Sequence, residues 1–157
     1  MPNFKMKAEP GKQDITITYE LPAPAARVFK AMTDASLLTR WWGPRKYETV
    51  VDKLEPRTGG QWRFINRAAD GGEHGFHGVF HLVEAPHRLI QTFEYEGAPG
   101  HVSLESMTLE ERDGKTLVTA QSVFQSVEDR AGMMADGGME AGARETYERL
   151  EELLARD

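Results

Sequence analysis

In a chain without cysteine, chemistry has to come from imidazoles, carboxylates and hydroxyls, and the five histidines are His74, His77, His81, His87 and His101. Only His77 and His81, four apart, are spaced to share one face of a strand. No cysteine or nearby carboxylate completes a ligand set, so no metal is expected. His77, between Phe76 and Gly78, suits a hydrogen-bonded structural role or a polar anchor pointing into a cavity. Gly71-Gly-Glu-His-Gly-Phe-His-Gly78 lacks the Lys-Ser/Thr and the following helix of a phosphate cradle, and reads as a hairpin turn. No Gly-x-Ser-x-Gly elbow occurs. Glu94 and Glu105 could serve as acid or base only if strand register turns them into an enclosed site. No catalytic residue and no cofactor is assigned.

The aromatic residues carry a second kind of chemistry, the wall of an apolar pocket. Trp41, Trp42, Trp62, Phe64, Phe93 and Tyr95 are the large rings available for a cavity or its rim, although core packing is the ordinary role of any single one. Trp62 and Phe64 share a strand face with Asn66, while Arg63 and Arg67 take the other. Trp42-Gly-Pro44 falls in a loop after a helix, where an aromatic is less forced by the fold and could gate a pocket. Met133, Met134 and Met139 suit an adaptable lid or gap-filling core.

The elements that must position these residues are legible from periodicity. Asp14 to Glu20 alternates, with Ile15, Ile17 and Tyr19 on one face, and predicts a first strand. Pro24 opens a short helix that turns Ala25, Val28, Phe29 and Met32 inward, and Asp34 caps a second one running to about Arg40. A period of two then predicts strands over Tyr47–Lys53, Gly60–Arg67, Glu73–Glu84, Leu89–Glu96, Val102–Glu111 and Thr116–Phe124, separated by Gly, Pro and Asp turns. Within Glu73–Glu84 the inward set is Phe76, Gly78, Phe80 and Leu82 or its complement, and a bulge would mix the two; Phe80 inward is preferred, with Gly78 leaving room for a ligand or the helix.

Ser126-Val-Glu-Asp129 resembles a capping box and starts a helical segment that Gly132 and Asp136-Gly-Gly138 should kink. The last helix, Gly138 to Ala155, places Met139, Ala143, Tyr147, Leu150 and Leu154 on one side. Glu145 and Arg149 are spaced for an exposed ion pair on it. These elements make an α+β fold, a curved antiparallel sheet of about seven strands whose concave face only the last helix can cover. Curvature that outpaces side-chain size leaves a cavity between helix and sheet, the usual place for a small ligand.

Composition bounds the rest. The 157 residues fit one domain, residues 13–157, behind a polar segment, 1–12, expected to be a flexible tail. A net charge of −6 without a Lys/Arg stripe argues against nucleic acid as a partner. The absence of an apolar run of ~18 residues argues against membrane insertion. Absence of cysteine and of a signal-like start makes the cytoplasm the expected compartment. An exposed sheet edge leaves a homodimer open.

The element order, with Pro-Ala-Pro-Ala-Ala-Arg-Val-Phe-Lys-Ala-Met, Leu-Thr-Arg-Trp-Trp-Gly-Pro, Gly-Gly-Gln-Trp-Arg-Phe, Phe-His-Gly-Val-Phe and the closing Gly-Met-Glu-Ala-Gly-Ala-Arg-Glu-Thr-Tyr-Glu-Arg-Leu-Glu-Glu-Leu-Leu, resembles the helix-grip proteins of the START/Bet v (SRPBCC) superfamily. Within it the chain is most similar to the bacterial AHSA-like branch, named for homology to the C-terminal domain of the activator of a heat-shock chaperone ATPase. The resemblance covers about residues 13 to 156. The chain departs from many relatives in carrying Met139 where they place Trp. The resemblance implies a small hydrophobic, aromatic or lipid-like molecule as ligand, and the strand and helix faces read above offer Trp42, Trp62, Phe64, His77, Phe80, Phe93, Met139, Ala143 and Tyr147 as its expected contacts. The alternatives it brings are a polyketide cyclase/dehydratase-like enzyme and, by family analogy alone, a module that acts on a chaperone ATPase.

Overall fold

A computed structural model of the chain describes residues 3–135 and 137–156. Alternation in Asp14–Leu21, strand β2, buries Ile15, Ile17, Tyr19 and Leu21 and leaves the threonines half-buried. Two short helices follow, α1 (Ala25–Thr33) and α2 (Ala35–Leu38). Pro24 offers α1 no side-chain cap, and the Glu111 carboxylate reaches across to accept from the Ala25 N–H at 2.9 Å. Asp34 caps α2 through the Ser36 N–H at 2.9 Å, as its side chain predicts.

The chain then runs as an antiparallel meander through β3 (Tyr47–Leu54), β4 (Gln61–Ala68), β5 (Glu73–Glu84), β6 (Arg88–Tyr95), β7 (Val102–Arg112) and β8 (Lys115–Val123). β8 pairs with β2, so the two helices carry the chain from one side of the sheet to its far edge and the meander brings it back. Helix α3 (Val127–Met134) is capped by Ser126, whose hydroxyl accepts from the Asp129 N–H at 3.0 Å. The turn to α4 (Gly138–Ala155) passes through Gly137 at φ +75°, a left-handed conformation that favours glycine; Gly132 stays helical and Asp136 lies outside the described residues.

With β1 (Lys5–Lys7), the described residues form a sheet of eight strands in the order β1-β2-β8-β7-β6-β5-β4-β3. The edge strand beyond the seven expected is β1, which pairs antiparallel to β2 within the segment expected to be a tail. Phe4 is buried beside Tyr147 and the Asn3 carboxamide accepts from the Glu20 N–H at 3.0 Å, so this segment is held by one ring and a short ladder. Met1 and Pro2 lie outside the described residues.

Register explains which side chains face α4. A bulge between Phe80 and Leu82 in β5 mixes the two candidate sets, so Phe80 is buried and Val83, rather than Leu82, packs on the core. Gly78 admits neither ligand nor helix. A Cβ there would overlap the Thr92 carbonyl oxygen and lie 2.6 Å from Trp62 Nε1, so its bare backbone is where the Trp62 indole lies. The core continues under the C-terminal half of α4, where Tyr147, Leu150, Leu153 and Leu154 pack with Ile15, Tyr19, Leu21 and Val28.

Candidate ligand-binding site

The apolar face of α4 tapers. Its C-terminal half carries Leu150, Leu153 and Leu154 toward the sheet, whereas the N-terminal half presents Gly138, Met139, Gly142 and Ala143. Small residues over a curved sheet leave a gap, and here it is a cavity of about 410 Å³ between helix and sheet. Trp41, Trp42, Gly43 and Pro44 close one side, where a Cβ added at Gly142 would make an ordinary contact with Pro44 Cγ at 3.6 Å.

An aromatic cluster forms the wall made by the 42–44 loop and strands β4, β5 and β6. Ring centroids lie 5.1 Å apart for Trp42–Phe64, 5.3 Å for Trp42–Phe76, 4.7 Å for Trp62–Phe64 and 5.5 Å for Phe76–Phe93. Such tilted and edge-on contacts are the favoured arrangements of aromatic pairs. Trp62 is locked by an Nε1–H bond to the Thr92 carbonyl at 3.2 Å, and Trp41 donates to the Ala31 carbonyl at 2.9 Å.

The polar face of α4 grips the loop that carries Trp42. The Arg149 guanidinium donates to the carbonyls of Gly43 at 2.7 Å, Arg40 at 3.1 Å and Trp42 at 3.4 Å. Glu145 accepts from the Arg45 backbone N–H, and the Arg45 side chain bonds Glu152 at 2.5 Å. Glu145 and Arg149, expected to pair with each other on an open helix surface, are each drawn instead to the loop's backbone. Under the loop, Thr49 Oγ1 donates to the Trp42 carbonyl at 2.6 Å and contacts the buried Asn66 amide at 3.0 Å.

Opposite the aromatic wall the sheet presents a polar row. Gln91, Glu105 and Ser122 are direct cross-strand neighbours on β6, β7 and β8, all lining the cavity. The two carboxylate oxygens of Glu105 accept from the hydroxyls of Ser122 and Ser103, both at 2.7 Å. Burial pushes the Glu105 carboxyl up from its ordinary value, against the two serine hydrogen bonds, which hold it down. Tyr147 hangs over this row from α4, its phenol pushed up by burial and then by the charge of Glu105. Among the described residues no lysine, arginine or histidine lines the cavity.

Of the residues expected at the ligand, Trp42, Trp62, Phe93, Met139, Ala143 and Tyr147 line this space. Phe64 and Phe80 are buried in the packing behind the lining, Phe64 in ring contact with both Trp42 and Trp62. His77 is turned away from the cavity. It alternates with Phe76 and Gly78, and its Nδ1 and Nε2 lie 2.8 Å from Glu96 and 3.2 Å from Glu94 on the outer face of the sheet. There Arg63 also grips Glu96 in a bidentate pair at 2.8 Å, holding that carboxyl at about 2.

Glu105, Gln91 and Ser122 were readable in principle. Leu89 and Phe93 flank Gln91, and Met107 and Leu109 continue the face of Glu105, so parity counted from these apolar residues turns both polar side chains inward. No three His, Asp or Glu side chains among the described residues cluster as metal ligands. A second cavity of about 390 Å³, lined by Phe93, Tyr95, Phe124 and Met133, shares Phe93 with the first. No described helix is long and apolar enough to cross a membrane.

Comparison with known proteins places this geometry in a lineage. An Arthrobacter aurescens protein solved by NMR is 28% identical, with 98% of this chain and 92% of that one aligned at a TM-score of 0.89. A Rhodobacter sphaeroides protein solved by crystallography is 25% identical over 99% of both chains, also at 0.89. Protein Ms6760 from Mycobacterium smegmatis is 25% identical over 96% of this chain and 95% of that one, at 0.85. No curated protein matches the sequence. The family model described as activator of Hsp90 ATPase homolog 1-like protein matches residues 22–155, and the chain therefore belongs to that family, within the AHSA-like helix-grip superfamily.

Proposed function

We propose that this protein is a binding module for a small, largely hydrophobic molecule held between the sheet and the N-terminal half of α4. The observation that carries this reading is the cavity of about 410 Å³, aromatic on one side and closed by glycine and alanine on the helix. Its volume falls in the range of small-molecule sites, and its few polar groups are gathered on one side, where they would orient a ligand rather than hydrate the space. Contact is assigned to Trp42, Trp62, Phe93, Met139, Ala143 and Tyr147.

A module working through its surface would need a filled core and a broad exposed apolar patch. The large exposed apolar residues described here, Val79, Leu104, Leu117, Val127 and Met133, are spread over four elements, and only Val127 and Met133 share one, helix α3. That contrast favours ligand binding over action on a chaperone. Native mass spectrometry of protein purified from its own host, before and after solvent extraction, tests the reading. A mass increment removed by extraction is expected; a bare chain in both states that also takes up no apolar probe would refute it.

A further inference from the structure

Among the described residues Glu105 is the one carboxyl on the lining of a largely apolar cavity, and no basic side chain lines the cavity beside it. A carboxylate so placed is costly unless it is paired, because burial strips it of water. The groups facing it are the hydroxyls of Ser103 and Ser122, the Gln91 amide across the strand pair and the Tyr147 phenol from α4, which is the only other titratable side chain among them. Each serine occupies one lone pair of one oxygen, so each oxygen keeps accepting capacity. Tyr147, Trp62 and Phe93 line the same space, and aromatic faces attract a cation.

Resting on the hydrophobic-ligand reading, we infer that the ligand is an apolar molecule carrying one basic nitrogen, whose ammonium seats on the Glu105 carboxylate between Ser103 and Ser122 while its ring system lies against the aromatic wall. The ligand thus supplies the counter-charge that the chain omits. A neutral ligand would bring the carboxyl no counter-charge and gain only a single neutral hydrogen bond.

Isothermal titration with naphthylmethylamine and naphthylmethanol, two probes of equal ring and nearly equal size, tests this in wild type and in Glu105→Gln. Wild type should bind the amine at least about tenfold tighter than the alcohol, as expected for a charge-assisted bond in a dry site. Glu105→Gln keeps the shape and removes the charge, so it should lose the preference and retain the alcohol. A second readout needs no variant: amine affinity should rise with pH as Glu105 sheds its proton, while alcohol affinity stays flat. Equal binding of the two probes by wild type, a preference that survives in Glu105→Gln, or an amine affinity independent of pH would overturn the inference and leave the hydrophobic-ligand reading standing. Failure of both probes to bind would overturn both.

Discussion

Gly78 shows how one absent side chain sets a wall. Trp62 can lie flat over β5 and bond Thr92 only because position 78 has no Cβ, and the obstructing atom would be a backbone carbonyl that cannot swing aside. Gly78→Ala should therefore lose about 3 kcal/mol in urea unfolding, as overpacking against rigid atoms does. Gly71→Ala meets no atom within 4 Å and bears only the left-handed φ of +92°, about 1 kcal/mol. Equal losses would show that conformation, and not the indole, fixes Gly78. On the outer face, Glu96 is held as a carboxylate at about 2, against an ordinary 4.5, first by the Arg63 hydrogen bonds. A folded value below the unfolded one means that the stability from this group is present above 4.5 and drains away as pH falls toward 2. The pair is partly exposed, so Glu96→Gln should cost only about 1 kcal/mol at neutral pH. The difference from wild type should vanish in acid, and a constant difference down to pH 2 would contradict the pairing.

At the scale of elements, α4 is both lid and clamp. Its apolar face tapers toward the N-terminus, and its polar face fixes the loop bearing Trp42 through three carbonyls bound by Arg149. Arg149→Ala should lose about 2 kcal/mol, the cost of charged hydrogen bonds left unmade. Hydrogen exchange should quicken at the amides of residues 40–43 and 45 before it quickens in β6 or β7; uniform quickening would mean that the clamp is not local.

Most of these elements were legible. The 3.6-residue period of α4 gave its observed bounds, and the two-residue period placed β2 to β8, because half-buried strands and helices write their exposure into the sequence. β1 was not, since three residues are too few for a period and it is anchored only by Phe4, just before it, and the half-buried Met6. The facing of β5 was open until the bulge at Phe80 fixed it, and Arg149 could not be assigned to the loop because its partners are carbonyls about a hundred residues away, which no local spacing encodes.

For the whole molecule, the crossover through α1 and α2 sets the order of strands, and that order puts the aromatic wall of β4 to β6 opposite the polar row of β6 to β8. The aromatic half of the site could be read from residue type: Trp42, Trp62 and Phe93 are large, and strand parity keeps Trp62 inward. The polar half is not legible from residue type, since Glu105 and Glu94 look alike; it takes parity counted from the apolar neighbours to turn one into the cavity and the other toward His77. Ala143, half-buried on the lining, is the place to fill the space between helix and sheet. Naphthylmethanol titrated into wild type and Ala143→Trp, with thermal unfolding of both, is the most direct measurement. Saturable binding by wild type, no binding by the variant and an unfolding temperature within a few degrees of wild type, about 1 kcal/mol, are predicted. Collapse of the variant's fold, or binding that the added indole leaves unchanged, would show that this face of α4 is solid core and that the ligand site lies elsewhere.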